Sequence, residues 1–343
     1  MYEITIGIPV YNIEKYIPRM MDSVMAQTFK NIEILICDDC GTDGSMNIIR
    51  NYQQNHPRGN DIRIVRQPYN MGLGNGRNRI ISEARGKYLF FLDGDDSIMP
   101  NTIEILYDSL KKYDAEIVYG SHYRIEEFNG EKKVFEKRYP TIHFLKENEF
   151  ATFAYHTYGR IFANTWNFLI DIDIYRRNNI IYKPVNFWED FTTTIDLPSY
   201  ITRAVLLSDF TYNYYCRYGT LSNFQKRSRI DKSEIDKTIA AMELVKANSD
   251  RIKRKPYFPG RMYKVMMTCF YMACAIIKDK NIICPSFSDQ EICDLMRSPL
   301  SFRETLNLRN WRLKNLFLYF LGVMPPLITI HIIKIFGKYK GLM

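Results

Sequence analysis

The sequence predicts an α/β fold: a Rossmann-like, mostly parallel central sheet flanked by helices, with a helical C-terminal extension. Three observations carry that expectation. Strand-like and helix-like patterns alternate through residues 1–115 of the 343. The strand candidates are apolar on both faces, as in sheets covered by helices on both sides. From residue 227 onward the pattern is mostly helical.

Each element follows from local chemistry. "ITIGIPV" (4–10) is a β-rich apolar run. Asn12 is expected to cap a helix whose apolar face is Ile13, Tyr16, Ile17, Met20, Met21 and Val24. "IEILICD" (32–38) is the next strand, and "TDGSMNIIRNYQ" (42–53) opens with cap residues and reads as a helix. "IRIV" (62–65), "GNGRNRIISEA" (74–84), "KYLFFLD" (87–93) and "PNTIEILYDSLKKY" (100–113) continue the alternation. Pro100 suits a first helical turn. The aromatic-rich middle is expected to extend the same sheet. "RSRIDKSEIDKTIAAMELVKANSDRI" (227–252) reads as an amphipathic helix. The expected division is a domain of 1–225, with halves 1–120 and 121–225, then a helical region 226–343.

Hydrophobic residues make up 46% and charged residues 25%, an ordinary globular balance that supports a sizeable core. Seven Cys lack paired spacings apart from Cys37 and Cys40, which reads as incidental thiols in a reducing cytosol. No apolar run precedes the first strand, so no secretory leader is expected. The net charge is +9. Residues 305–343 hold six Lys/Arg and no Asp or Glu, leaving 41 basic against 38 acidic residues elsewhere. The basic excess thus sits in the tail. That placement points to an anionic membrane surface and away from nucleic acid.

Ligands of doubly wound sheets bind at the carboxyl ends of the strands. "YN" (11–12), "DD" (38–39), "NMGLGNGRN" (70–78) and "DGDD" (93–96) each follow a strand and are expected to share that crevice. Asp93, Asp95 and Asp96 are like charges within four positions and call for a cation. Oxygen ligands suit Mg²⁺ or Mn²⁺; the alternative is ordinary turn chemistry. The glycine spacing is G-x-G-x-G after the third strand, unlike a dinucleotide fingerprint in the first βα turn. Arg77 there either offers charge to a phosphate or decorates a surface loop. In "FWEDFTTT" (187–194), Asp190 lies beside large aromatics. It reads equally as a general base of raised pKa or as a helix cap.

Together these stretches resemble the family-2 glycosyltransferases of the GT-A fold. "IGIPVYNIEKYIPRMMDSVMAQTFKNIEILICDDCGTDGS" and "NMGLGNGRNRIISEARGKYLFFLDGDD" carry the resemblance. It continues through "TWNFLIDIDIYRRNNIIYKPVNFWED" and "YNYYCRYGTLSN". The resemblance implies inverting transfer of a sugar from a nucleotide diphosphate donor, usually UDP-linked, to an acceptor hydroxyl. It implies that Pro9 and Tyr11 line the nucleotide pocket and that Asp39 bonds the base. Arg77 would lie by the base or diphosphate. Asp93 would reach the ribose or the metal shell, Asp95 would ligate Mn²⁺ or Mg²⁺, and Asp190 would take the acceptor proton. The pattern departs from the family where Trp166–Asn167 is followed by Phe168, where Cys40–Gly41 follows the paired acids, and where "RYGTLSN" has no His. His122 is a poor substitute ligand and reads as a pocket wall.

"NLFLYFLGVMPPLITIHII" (315–333) contains no charged residue, but Pro325–Pro326 interrupts it. With Trp311 and basic residues at its edge, 305–343 reads as two short helices lying in the cytoplasmic leaflet. A core-packing helical hairpin is the alternative. A glycan or lipid-linked saccharide acceptor would suit a peripheral enzyme on the inner face of the cell membrane. Two rival functions stand beside this one: a membrane-docked binding or scaffold protein with a degenerate site, and a nucleotide-sugar nucleotidyltransferase. The second needs a glycine-rich first βα turn, and "PVYNIEKY" has none.

Overall fold

The computed structural model describes residues 2–157, 164–185, 188–217 and 228–343. The chain forms two compact units. One contains Met1–Phe150, Ala163–Pro184 and Tyr200–Gln225; the other contains Ala151–Phe162, Val185–Ser199 and Lys226–Met343. Two segments from the middle of the chain thus join the C-terminal helices.

Among the described residues, the first unit is built on ten strands. They are β1 (Ile4–Val10), β2 (Ile32–Asp38), β3 (Ile62–Arg66), β4 (Tyr88–Phe91) and β5 (Ser97–Ile98), then β6 (Ile117–Phe128), β7 (Glu131–Lys137), β8 (Ile142–Phe144), β9 (Phe168–Asp171) and β10 (Ala204–Arg217). The sheet order is β3-β2-β1-β4-β9-β6-β10-β5, with β7 paired to β6 and β8 to β10. Strands β1–β4 are parallel, and β6 and β10 share their direction. Helices α1 (Ile17–Met25), α2 (Ser45–Asn55), α3 (Leu73–Glu83) and α4 (Thr102–Lys112) alternate with the parallel strands. β2 and β4 are buried at every residue. That is why they read as continuous apolar runs. The aromatic-rich middle supplies β6 to β10 and extends the same sheet, as expected.

One local expectation fails. Asn12 does not cap α1, which starts at Ile17 after Tyr16 with no side-chain cap. Asn12 instead adopts a left-handed φ of 50°, and its Oδ1 accepts the Thr42 N–H at 2.7 Å. A cap-forming side chain was drawn to a neighbouring loop, and Pro18 supplies the helix start.

Two short helices, α5 (Glu149–Thr152) and α6 (Asp173–Arg177), sit in connections. The second unit contains α7 (Glu189–Thr194), α8 (Lys232–Ala247), α9 (Phe258–Lys278), α10 (Asp289–Leu295), α11 (Phe302–Leu306), α12 (Arg312–Leu321) and α13 (Pro326–Tyr339). α9 is its centre, with Met262, Val265, Met266, Cys269, Phe270 and Met272 all buried. Asp196, just after α7, ties its segment to this core by pairing with Arg261, which is fully buried.

The expected interruption in the tail is present. α12 ends at Leu321 and α13 begins at Pro326. Leu318, Leu321, Ile330 and Ile333 are buried, while Leu313 is 81% and Leu327 79% exposed. Each tail helix therefore has one packed and one open face. Among the described residues, no helix is long and apolar enough to cross a membrane.

Candidate active site

The strand ends of the first unit gather the predicted crevice residues. Pro9 lies near the end of β1 and Tyr11 just beyond it, 44% exposed. Asp39 follows β2. Its carboxylate accepts the Met71 N–H at 2.8 Å and the Gly72 N–H at 2.9 Å. It thereby holds the start of the glycine loop. Burial raises its pKa more than those two N–H groups lower it. Gly72 has φ +83°, a left-handed conformation that favours glycine. At Gly74 a Cβ would sit 2.6 Å from the Lys183 carbonyl oxygen, so only glycine lets the loop pack this closely.

Arg77 is 1% exposed and donates to Asp93 Oδ1 at 3.2 Å. Its guanidinium lies 5.5 Å from the Tyr182 ring centroid. The group expected to meet phosphate is thus held against an acid of the "DGDD" turn.

The three acids of that turn divide by task. Asp96 is buried and accepts the Tyr212 hydroxyl at 2.9 Å and the Tyr215 N–H at 2.8 Å. Burial, then the charges of Asp95 and Asp93, push its pKa well above the carboxylate range. It anchors the turn to β10. Asp95 accepts from Arg217 Nη2 at 2.8 Å, and its carbonyl accepts from Arg19 Nη2 at 2.7 Å. Burial raises its pKa, with Arg217 pulling the other way. The guanidinium of Arg217 lies 3.5 Å from the Tyr16 ring centroid, and that of Arg19 lies 3.4 Å from Tyr215. Stacked arginines of this kind keep a fixed orientation beside their acids.

The donor chemistry fits a divalent ion. Asp93 and Asp95 offer hard oxygens, and both lie close enough to Asp96 to raise its pKa. Mg²⁺ is commonly held by one or two carboxylates, with waters and substrate phosphates completing the shell. Among the described residues, no three His, Cys, Asp or Glu are grouped to hold an ion by themselves. His122 does not join the acids: burial, then Lys137 and Arg124, lower its pKa to about 4, and its ring lies edge-on to Trp166 at 4.9 Å.

Asp190 belongs to the second unit, in the first turn of α7. It is not the cap; Trp188 takes that position in a left-handed conformation. The Asp190 carbonyl accepts the Thr194 hydroxyl at 2.7 Å. Of the neighbouring motifs, Phe187 and residues 218–223 of "YNYYCRYGTLSN" lie outside the described residues. The Trp-Asn element is a clamp inside the sheet. Trp166 stacks on Tyr212 at 4.6 Å, and Asn167 accepts the Thr211 hydroxyl at 2.6 Å.

The family model described as glycosyl transferase family 2 matches residues 5–176. The chain belongs to this family. It is 29% identical over 227 residues to glycosyltransferase GlyA of Streptococcus pneumoniae, covering 64% of this chain and 31% of that protein. It is 27% identical over 228 residues to cholesterol galactosyltransferase of Borreliella burgdorferi, covering 65% of this chain and 62% of that protein. The chain thus spans less than two thirds of either relative. Among solved structures, S. aureus TarS 1–349 in complex with UDP-GlcNAc aligns over 99% of this chain and 92% of that one. The TM-score is 0.60 at 17% identity, a likeness of fold, the GT-A type.

Four residues of this family-2 chain escaped the sequence reading: Tyr16, Arg19, Tyr212 and Arg217. Arg217 carried a usable signal, being the one basic residue of β10. The others look like ordinary helix and strand residues until β10 and α1 are set beside the acidic turn.

Proposed function

We propose that the chain transfers a sugar from a nucleotide diphosphate donor, a UDP-sugar, to a hydroxyl of a glycan or lipid-linked acceptor, with inversion, in surface polysaccharide biosynthesis. The observation that carries this reading is the crevice pairing of Asp93 with Arg77 and Asp95 with Arg217, beside a glycine loop held by Asp39. Carboxylates and guanidinium groups alternating at the strand ends suit a ligand that brings a diphosphate together with a cation.

In this reading Pro9 and Tyr11 line the nucleotide pocket. Asp39 accepts from the base with lone pairs its two loop N–H groups leave over. Arg77 neutralises phosphate charge. Asp93 and Asp95 would hold Mn²⁺ or Mg²⁺, which supplies Lewis-acid neutralisation of the leaving diphosphate. Asp190 takes the proton of the acceptor hydroxyl, a role worth about 10²–10⁴ in rate. The UDP-GlcNAc bound to TarS favours a UDP donor. The Borreliella relative's name, with its sterol acceptor, favours a lipid acceptor. The acid-free basic tail favours a peripheral position on the cytoplasmic face of the membrane.

A thermal-shift screen of nucleotide sugars with and without Mn²⁺ tests the reading. A donor at a hundredfold its Kd adds about 2.7 kcal/mol to stability. A shift that needs Mn²⁺ supports the assignment. The same shift in the presence of chelator removes the metal. No shift and no donor hydrolysis with any nucleotide sugar would favour the membrane-docked binding protein.

A further inference from the structure

The tail carries a cleft that the transfer chemistry leaves unused. It has a volume of about 780 Å³ and is lined by His156, Arg309, Trp311, Arg312 and Lys314 among others. Trp311 stacks on Tyr263 of α9, with centroids 4.7 Å apart and planes 28° apart. Lys314 Nζ lies 4.1 Å from the Trp311 centroid, and Lys264 Nζ of α9 lies 5.7 Å from it. Two ammonium groups from two helices therefore converge on one aromatic pair.

No described acid pairs with these cations. Among the described residues, Lys264, Arg309, Arg312 and Lys314 make no ion pair, and Glu304 is the last acid of the sequence. Burial, then the charge of Lys314, lowers the pKa of Lys264. Trp311 offers no side-chain acceptor to the first turn of α12, so that helix end adds its own positive potential. Gathered cations without counter-ions favour an incoming anion. A free anion leaves the apolar surface unexplained: Leu313 at the cleft is 81% exposed, and beyond it Val323 is 56%, Leu327 79% and Ile328 49% exposed. A bilayer with anionic headgroups accounts for both the charge and the apolar faces.

We infer that this cleft seats the phosphate of an anionic lipid while the open faces of α12 and α13 enter the headgroup boundary of the same leaflet. The inference rests on the peripheral membrane position proposed above. It adds a defined headgroup site to a general attraction.

Sedimentation with phosphatidylcholine vesicles, with and without phosphatidylglycerol, tests it. The variants are Arg309→Glu/Lys314→Glu in the cleft, Val323→Glu/Leu327→Glu on the apolar face, and the charge-matched Lys132→Glu/Lys133→Glu on β7. All six positions are exposed, and matching melting curves verify the fold. Wild type should bind the phosphatidylglycerol vesicles. The cleft variant should lose about 25-fold or more in partitioning, since each basic group near an anionic surface contributes about fivefold. The apolar variant should also lose binding, and the β7 control should keep most of it. Equal losses in the cleft variant and the β7 control would overturn the headgroup site and leave the membrane position standing. Displacement by inorganic phosphate at matched ionic strength would reassign the cleft to free phosphate. Failure of wild type to bind any vesicle would end both readings.

Discussion

The two units hold their carboxylates in opposite ways. In the first, Asp39, Asp95 and Asp96 all have raised pKa values, with burial the leading cause. In the second, Glu291 and Glu304 are lowered to about 2, first by Lys232 and Lys253 and then by the capping Ser288 and Ser301. The division follows task. Asp43, which bonds the first turn of α2 in the first unit, is also lowered: burial opposes this, but Ser45 and the Glu14 N–H outweigh it. The acids that bond helix starts sit where their charge is welcome. Acids at the strand ends sit where charge is costly, and at Asp95 the arginines Arg217 and Arg19 only partly offset the cost. Such placement is what the proposed donor crevice requires.

Asp95→Asn puts the largest strain on that contrast. If Asp95 holds the cation, transfer should fall by about 10²–10³, the usual scale for losing one group that stabilises developing negative charge. The melting point should hardly move, because Asn still accepts from Arg217 and no longer carries a costly charge. Calorimetry with Mn²⁺ and donor supplies a second readout. Undiminished Mn²⁺-dependent donor binding would return Asp95 to a structural role.

Asp190→Asn should be nearly as severe. Asn keeps the shape but cannot take a proton, so transfer should drop about 10²-fold or more while donor binding stays normal. Trp188, not Asp190, takes the cap position of α7, so the decisive readout is transfer, and Asp190→Ala should lose as much of it as Asp190→Asn. An active Asn variant would move the base assignment to Glu189.

The sequence carried the sheet and the crevice because both obey local rules. Ile4–Val10 and Ile32–Asp38 are apolar on both faces, and the acids follow their strands directly. What it could not carry depends on register across distance. Arg217 and Asp95 are 122 residues apart, and Asp96 and Tyr212 are 116 apart. β10 brings both contacts to the turn by pairing with β5, Tyr212 opposite Ile98. Asn12 misled for the same reason: its cap-like chemistry was taken by Thr42, 30 residues away.

Asp39→Ala should have a smaller, two-part effect. A charge-assisted hydrogen bond to the base is worth about 1.5–3 kcal/mol, so UDP affinity should fall roughly 10- to 100-fold. The same change frees the Met71 and Gly72 N–H groups, so the glycine loop should exchange amide hydrogens faster. Faster exchange with unchanged UDP affinity by calorimetry would make Asp39 a loop latch only.

The smallest effect tests the other side of the contrast. Glu291 and Glu304 each bond a capping serine and a lysine, Lys232 and Lys253. Their folded pKa values lie near 2, below the value of about 4.3 expected in the unfolded chain. A depressed pKa means the stabilising contribution is present above the unfolded value and is lost as pH falls towards the folded one. Both side chains are more than a third exposed, 42% and 41%, so solvent screening keeps each contribution under about 1 kcal/mol. Wild type should therefore lose a small increment of melting temperature between about pH 4.3 and pH 2. Glu291→Gln/Glu304→Gln should melt slightly lower at pH 7, because Gln keeps the box geometry but not the charge. The gap should close at acid pH, and transfer activity should be unchanged throughout. A gap that stays constant down to pH 2 would show that the lysine pairs contribute nothing. A loss of activity would place Glu291 or Glu304 among the acids that serve transfer.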